Sequence, residues 1–294
     1  MKFLHSKFSR SLRIVFGLAV ILFATGCDVD EYLEEELGPQ VDVAKEDTGN
    51  EDVDNEDVDL PEEDSDSEAC EDHNPHGTPS PTDQIICYET FSIGYNYVSK
   101  QADWVSYTVT ADSVGVYVER TDDFREDVNL PESVRSTLTH YSGSGFDRGH
   151  LAPAATVGTT ESTMSDTFLL SNMSPQLPGF NRDGWAEVEA RIRDCVYDLK
   201  DMTIVTGPVL GEDSIERIGG NGPIVPESFF KLLVHGNQAY AMIFPHSEFS
   251  LYSFDKYVVS PYEIQQSTGL RFFDDLSDVD RDEILSESVN FCGF

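Results

Sequence analysis

The chain has 294 residues, 39% of them hydrophobic, and 55 acidic against 19 basic side chains give it a net charge of -36. The apolar fraction is enough for a packed core in one large domain or two small ones, which excludes a wholly disordered chain. The charge argues against tight, sequence-independent binding of nucleic acid through a broadly basic surface, because phosphate neutralisation supplies much of that affinity, yet it leaves room for a local basic cleft.

Lys2, Lys7, Arg10 and Arg13 precede an apolar run from Ile14 to Ala24 and then Thr25-Gly26-Cys27, the layout of a bacterial secretory signal peptide. The run is far shorter than the roughly 20 residues that span a bilayer. Cys27 resembles the lipobox cysteine of bacterial lipoproteins, with Ala24 where leucine is commonest. Residues 1–27 are therefore expected to be a lipoprotein-type signal, with a lipid on Cys27 as membrane anchor; ordinary cleavage to a free secreted protein is the alternative. Either way the protein is expected to be exported, as an anchored lipoprotein facing the periplasm or cell surface and otherwise secreted. Cys70, Cys87, Cys195 and Cys292 then remain, an even number for an oxidising compartment. They fit two disulfides in any of three pairings, and their spacing matches no zinc motif.

From 28 to 72 the chain carries 22 acidic residues against the single base Lys45. Such a segment cannot bury enough apolar surface to offset its ordering entropy, so a disordered, self-repelling linker is expected over 28–72. The folded domain is then 73–294, where 33 acidic and 14 basic residues still leave a net charge of -19. His73 and His76 have no carboxylate or cysteine pattern to make them a metal pair and read as loop residues.

Strand-like runs follow at Tyr88 to Ile93, Trp104 to Val109, Val114 to Val118, Thr167 to Leu170, Thr203 to Thr206, Phe229 to Val234 and Ala239 to Phe244. Trp185, Val188, Ile192, Val196 and Leu199 recur at helical spacing, and shorter helices are signalled over Ser260 to Ser267, ended by Gly269, and over Val279 to Ser286. The class is α+β, with a central, mostly antiparallel sheet flanked by helices.

Two stretches carry chemistry. Phe146-Asp147-Arg148-Gly149-His150-Leu151-Ala152-Pro153 sets a histidine, a guanidinium and a carboxylate within four residues, which suits phosphate-ester chemistry. At the opening of the long helix Asn181, Trp185, Glu189 and Arg193 succeed one another every four residues, a slowly drifting row. An asparagine oxygen suits a hard cation that keeps most sites for water and phosphate, and a glutamate further along suits holding that water. From spacing alone, Asn181 as a helix cap and Glu189 with Arg193 as a surface ion pair fit equally well, and Trp185 faces the core.

The runs Tyr141 to Ala155 and Asp166 to Gln176, followed by Asn181, Trp185 and Glu189, resemble the DNA/RNA non-specific endonuclease family, which has a ββα-metal (His-Me finger) active site. Supporting matches at Ala102 to Tyr107, Val205 to Pro208, Phe230-Lys231 and Thr268 to Leu270 extend the likeness over roughly 75 to 280. The resemblance implies that His150 is the general base with a pKa near neutrality, and that Asn181 is the direct ligand of a single Mg2+, with Mn2+ as substitute. It implies that Glu189 holds metal-bound water, Asn172 lines the site, and Arg120 stabilises the transition state, with Arg125 as the competing assignment. Arg148 and Arg193 become further site arginines, Asp147 shapes the turn, and Lys231 matches a family lysine for which packing of a buried stem is the simpler reading. The function implied is hydrolysis of DNA and RNA with little sequence preference and 5' phosphate products, in a protein that forms homodimers in some relatives. Two competing classes remain: a surface nucleic-acid-binding or adhesion protein without turnover, and a phosphodiesterase for other esters.

Overall fold

The computed structural model describes residues 70–116, 118–211 and 215–293. The expected signal peptide, Cys27 and the acidic linker up to residue 69 lie outside the described residues. The described residues begin three positions before the expected boundary of 73. Cys70 is bonded to Cys87, and the buried His73 carbonyl accepts a hydrogen bond from Ser106 Oγ at 2.6 Å. Cys195 and Cys292 form the second disulfide, so of the three pairings open from sequence the fold realises this one.

The strands are β1 (Gln84–Cys87), β2 (Ser92–Asn96), β3 (Gln101–Thr110), β4 (Asp147–His150), β5 (Met173–Gln176), β6 (Asp201–Val209), β7 (Ser228–His235), β8 (Gln238–Pro245) and β9 (Val258–Val259). The helices are α1 (Leu138–Tyr141), α2 (Ala154–Val157), α3 (Glu161–Asp166), α4 (Ala186–Leu199), α5 (Pro261–Thr268) and α6 (Asp278–Ser286). Seven strands form one sheet in the order β1-β2-β3-β6-β7-β8-β9, antiparallel throughout, while β4 and β5 pair as a separate two-stranded ribbon. Neighbouring sheet strands follow one another in sequence except at β3 and β6, and the ribbon and α4 both lie in the segment between them.

Alternation along the strands divides the core into two layers. Tyr107, Ile204, Phe229, Leu233 and Met242 face α4, which presents Val188, Ile192, Cys195 and Val196. Trp104, Val205, Phe230, Leu232 and Ala241 face the opposite way, against Ile264 of α5 and Ile284 and Leu285 of α6. Because both faces are covered, β7 is buried along nearly its whole length, and its sequence is almost continuously apolar. Each fully buried aliphatic or aromatic side chain contributes about 1.5–3 kcal/mol, so the α4 stripe is a major anchor of the segment that carries the site. Ser260 caps α5 by accepting from Glu263 N, Pro261 opens it, and Gly269 closes it at φ 75°.

Three expected strands differ. Of Tyr88 to Ile93 only Ser92 and Ile93 are strand, opening β2, and Tyr88 to Phe91 make the turn before it; the described residues of Val114 to Val118 are turn and irregular chain, and Thr167 to Leu170 makes, among the described residues, a single bridge, Leu169 to Arg125. Each run has the composition of a strand, but beyond Ser92 and Ile93 the described residues bring no neighbouring backbone alongside to complete a ladder, which is what the sequence cannot supply.

Candidate active site

His150 ends β4 and is opposite Met173 in the ribbon. Gly149 beside it is opposite Ser174, and a Cβ there would come within 2.1 Å of the Gln176 side chain, so glycine leaves the room that this buried side chain fills. The imidazole meets the rings of Phe124 and Phe168 edge-on, with centroids 5.9 and 5.1 Å away. The same two rings carry two guanidinium groups: Arg148 lies 4.0 Å over Phe124, and Arg120 lies 4.6 Å over Phe168. Phe124 and Phe168 thus hold base and arginines in one constellation. Sequence reasoning missed both; the one available signal was an aromatic residue in the otherwise polar run around Asp123 and Arg125.

Nε2 of His150 is closed to solvent and has no hydrogen-bond partner among the described residues, which leaves Nδ1 as the nitrogen available to a water. Burial, followed by the charges of Arg120 and Arg148, pushes the imidazole pKa down to about 3. The expectation of a value near neutrality is thereby corrected: in the substrate-free protein the ring is neutral well into the acid range.

Asn181 lies on a π-helical turn, Phe180–Trp185, that leads directly into α4. Its Nδ2 donates to Asp147 Oδ2 at 3.0 Å, which leaves its Oδ1 as the free atom of the amide. Asp147 also accepts from Arg182, Nε at 2.8 Å and Nη2 at 2.6 Å. Burial works against the Asp147 carboxylate, but the bonds from Arg182 and Asn181 hold it below the usual carboxylate range. The aspartate of the first stretch therefore clamps the asparagine of the second, a link the linear sequence does not display.

Glu189 is half-buried on α4, with Oε1 closed to solvent and without a hydrogen bond among the described residues. It forms no salt bridge with Arg193, so the surface ion pair fitted from spacing is not what the fold builds; Arg193 Nη1 instead reaches Thr156 Oγ1 at 3.4 Å. Trp185 is buried as expected, packed on Phe180, Phe229 and Phe244. Asn181 offers an amide oxygen without a protein donor and Glu189 a carboxylate further along the helix, a set that fits a hard divalent cation. Among the described residues no three His, Cys, Asp or Glu side chains gather as a metal cluster, so the fit is to a largely water-ligated ion rather than to zinc.

Other expected residues separate clearly. Asn172 is fully buried, and its amide is spent on backbone: Oδ1 accepts from Ala152 N at 2.9 Å, and Nδ2 donates to Ala152 O at 3.0 Å and Thr167 O at 2.9 Å. The reading of Asn172 as a catalytic, site-lining group is corrected to one of bracing the chain just after His150. Arg125 is occupied by Asp123, the Ser165 carbonyl and Asp166, whereas Arg120 pairs, among the described residues, only with the exposed Asp122 and borders a cavity of about 330 Å³ walled by Val116, Val118, Ala154 and Met164. Geometry thus favours Arg120 over Arg125. His73 and His76 make separate backbone contacts, to Tyr88 and Gly236, and His246 bridges Leu177 N and Pro226 O.

The model of the DNA/RNA non-specific endonuclease family matches residues 71–279. Nuclease C1 of Cunninghamella echinulata var. echinulata is 36% identical over 218 residues, 68% of this chain and 86% of that protein. Human mitochondrial endonuclease G is 34% identical over 161 residues, 51% of this chain and 54% of that one. A crystal structure of an EndoG/EndoGI complex superposes with a TM-score of 0.64 at 29% identity, covering 70% of this chain and 92% of the other.

Proposed function

The chain belongs to the DNA/RNA non-specific endonuclease family, and from that footing we propose an exported, magnesium-dependent member whose hydrolytic site comprises His150, Asn181, Glu189, Arg120, Arg148 and Arg193. The protein is an enzyme, a metal-dependent nuclease that hydrolyses phosphodiester bonds in DNA and RNA, with the ββα-metal fold.

One observation carries the assignment of roles: a histidine whose Nε2 is enclosed and unpaired, set between two guanidinium groups stacked on the rings that enclose it. His150 Nδ1 takes the proton from the attacking water, and the enclosed Nε2 keeps the ring's other hydrogen. Arg120 and Arg148 donate to the oxygens of the scissile phosphate as negative charge builds on them, and stacking fixes their direction in advance. Arg193 adds positive potential from α4. Asn181, steadied by Asp147, would hold the cation through Oδ1, and Glu189 would accept from its water shell. Magnesium would supply Lewis-acid stabilisation of the phosphate and the leaving oxygen, and manganese is the expected substitute.

Export rests on the residues preceding Ile14 and on Cys27, and two disulfides suit an oxidising compartment. Purified protein given plasmid, single-stranded DNA and RNA is expected to degrade all three with Mg2+ and none with chelator. His150→Ala is expected to lower kcat by about 10²–10⁴-fold. Equal degradation by wild type and His150→Ala would remove His150 as the base.

A further inference from the structure

Lys231 is a charged side chain that the hydrolytic scheme leaves unused. It sits in the middle of β7 between Phe229 and Leu233, and the period of two along the strand aims all three at α4. Its relative exposure is 0%, and Nζ has no hydrogen-bond partner among the described residues. An ammonium in that position is costly unless other groups replace the lost water. Two candidates are present. Nζ lies 4.1 Å over the Trp185 ring, whose face offers partial compensation. The second is Glu189, one helical turn beyond Trp185, whose charge acts on Lys231 more strongly than that of any other group. The relation is mutual, since Lys231 is the leading charge acting on Glu189, ahead of Arg193 and Arg120. Glu189 in turn has one oxygen, Oε1, shut inside without a well-formed hydrogen bond, the Trp185 side chain being a weaker influence on it than the Lys231 charge. A packing role for a lysine stem does not account for this, because a stem alone would be better served by an apolar residue or by a route for the head to solvent.

We propose that Lys231 is a positioning residue of the nuclease: its ammonium, fixed over Trp185, is the counter-charge that holds the Glu189 carboxylate at the wall of the site with its second oxygen toward the cleft. The proposal rests on the reading of Glu189 as a site residue. It makes β7, a core strand, part of the hydrolytic apparatus, and it explains why a lysine interrupts an otherwise apolar strand.

A double-mutant cycle tests it, with the full-length protein as wild type, Glu189→Gln, Lys231→Met and the double variant. Two quantities are read: the thermal midpoint without divalent cation, and kcat on a short duplex at saturating Mg2+. Lys231→Met alone is expected to lower kcat about 10- to 100-fold and to lower the midpoint. In the Glu189→Gln background the same change is expected to cost less than about threefold in kcat, and the double variant should melt at or above the Lys231→Met protein. Recovery of folding by the double variant, where Lys231→Met alone does not fold, has the same meaning. The proposal is overturned by equal losses in both backgrounds, or by failure of both proteins to fold, since either makes Lys231 a packing residue. Wild-type turnover by Glu189→Gln overturns it differently, by removing Glu189 from the site, and an inactive wild type would instead remove the hydrolytic reading itself.

Discussion

At the scale of single residues the site works by enclosure. His150 is kept neutral because burial and the neighbouring Arg120 and Arg148 all penalise a second proton. An unfolded chain titrates its histidine near 6.5, so between that value and about 3 the unfolded state binds more protons than the folded one. Stability from this residue is therefore fully present above the unfolded value and is lost as pH falls toward the folded one. Melting temperatures from pH 7 to 4 are expected to fall more steeply for wild type than for His150→Gln. The acid limb of kcat/KM should likewise lie below the ordinary histidine value; a limb at 6.5 would mean that water reaches Nε2 in solution. The two arginine assignments separate in the same way. Arg120→Ala is expected to lose about 10²–10³-fold in kcat. Arg125→Ala, which gives up contacts to Asp123, the Ser165 carbonyl and Asp166, should lower the melting temperature and leave kcat within about threefold.

At the scale of elements, the ribbon and the π-helical turn are joined through Asp147, which grips both Asn181 and Arg182. Asp147→Ala is expected to weaken Mg2+ binding about 10- to 100-fold, measured by calorimetry, because the Asn181 amide is then free to turn. Neither ribbon strand was legible in the sequence. β4 and β5 are four residues each, polar, and interrupted by Gly149 and Pro175, so they lack the alternation by which a strand announces itself. The α4 stripe and the capped α5 were legible because their signals are local: apolar spacing of three and four in one, Ser260 with Glu263 and Gly269 in the other.

Across the whole molecule, charge and covalent closure set the limits. The positive groups around His150 are few, in a chain of net charge -36. The slope of log binding constant against log salt is therefore expected to be about -3 or shallower, at roughly 0.9 per neutralised phosphate, for a site gripping through Arg120, Arg148 and Arg193. A markedly steeper slope would require a larger basic surface than these three provide. The Cys195–Cys292 disulfide joins α4 to the chain end across a separation of 97 residues, against 17 for Cys70–Cys87. In the chain-entropy model these stabilise by about 4.7 and about 3 kcal/mol, so Cys292→Ser should lower the melting temperature more than Cys70→Ser, as calorimetry would read.

The amino-acid order by itself determined what depends on neighbours in the chain: the class, the three longer helices, the strands β3, β6, β7 and β8 of the central sheet, and the two stretches around His150 and Asn181 with the family they resemble. Only the tertiary structure decided what depends on separation in space. It paired the cysteines, placed Phe124 and Phe168 around His150, spent Asn172 on backbone, turned Asn181 with Asp147, and buried Lys231 in the field of Glu189. The reason is physical. Periodicity and capping act over a few residues, whereas desolvation and Coulomb forces depend on which distant side chains fill the space around a group once the core has closed.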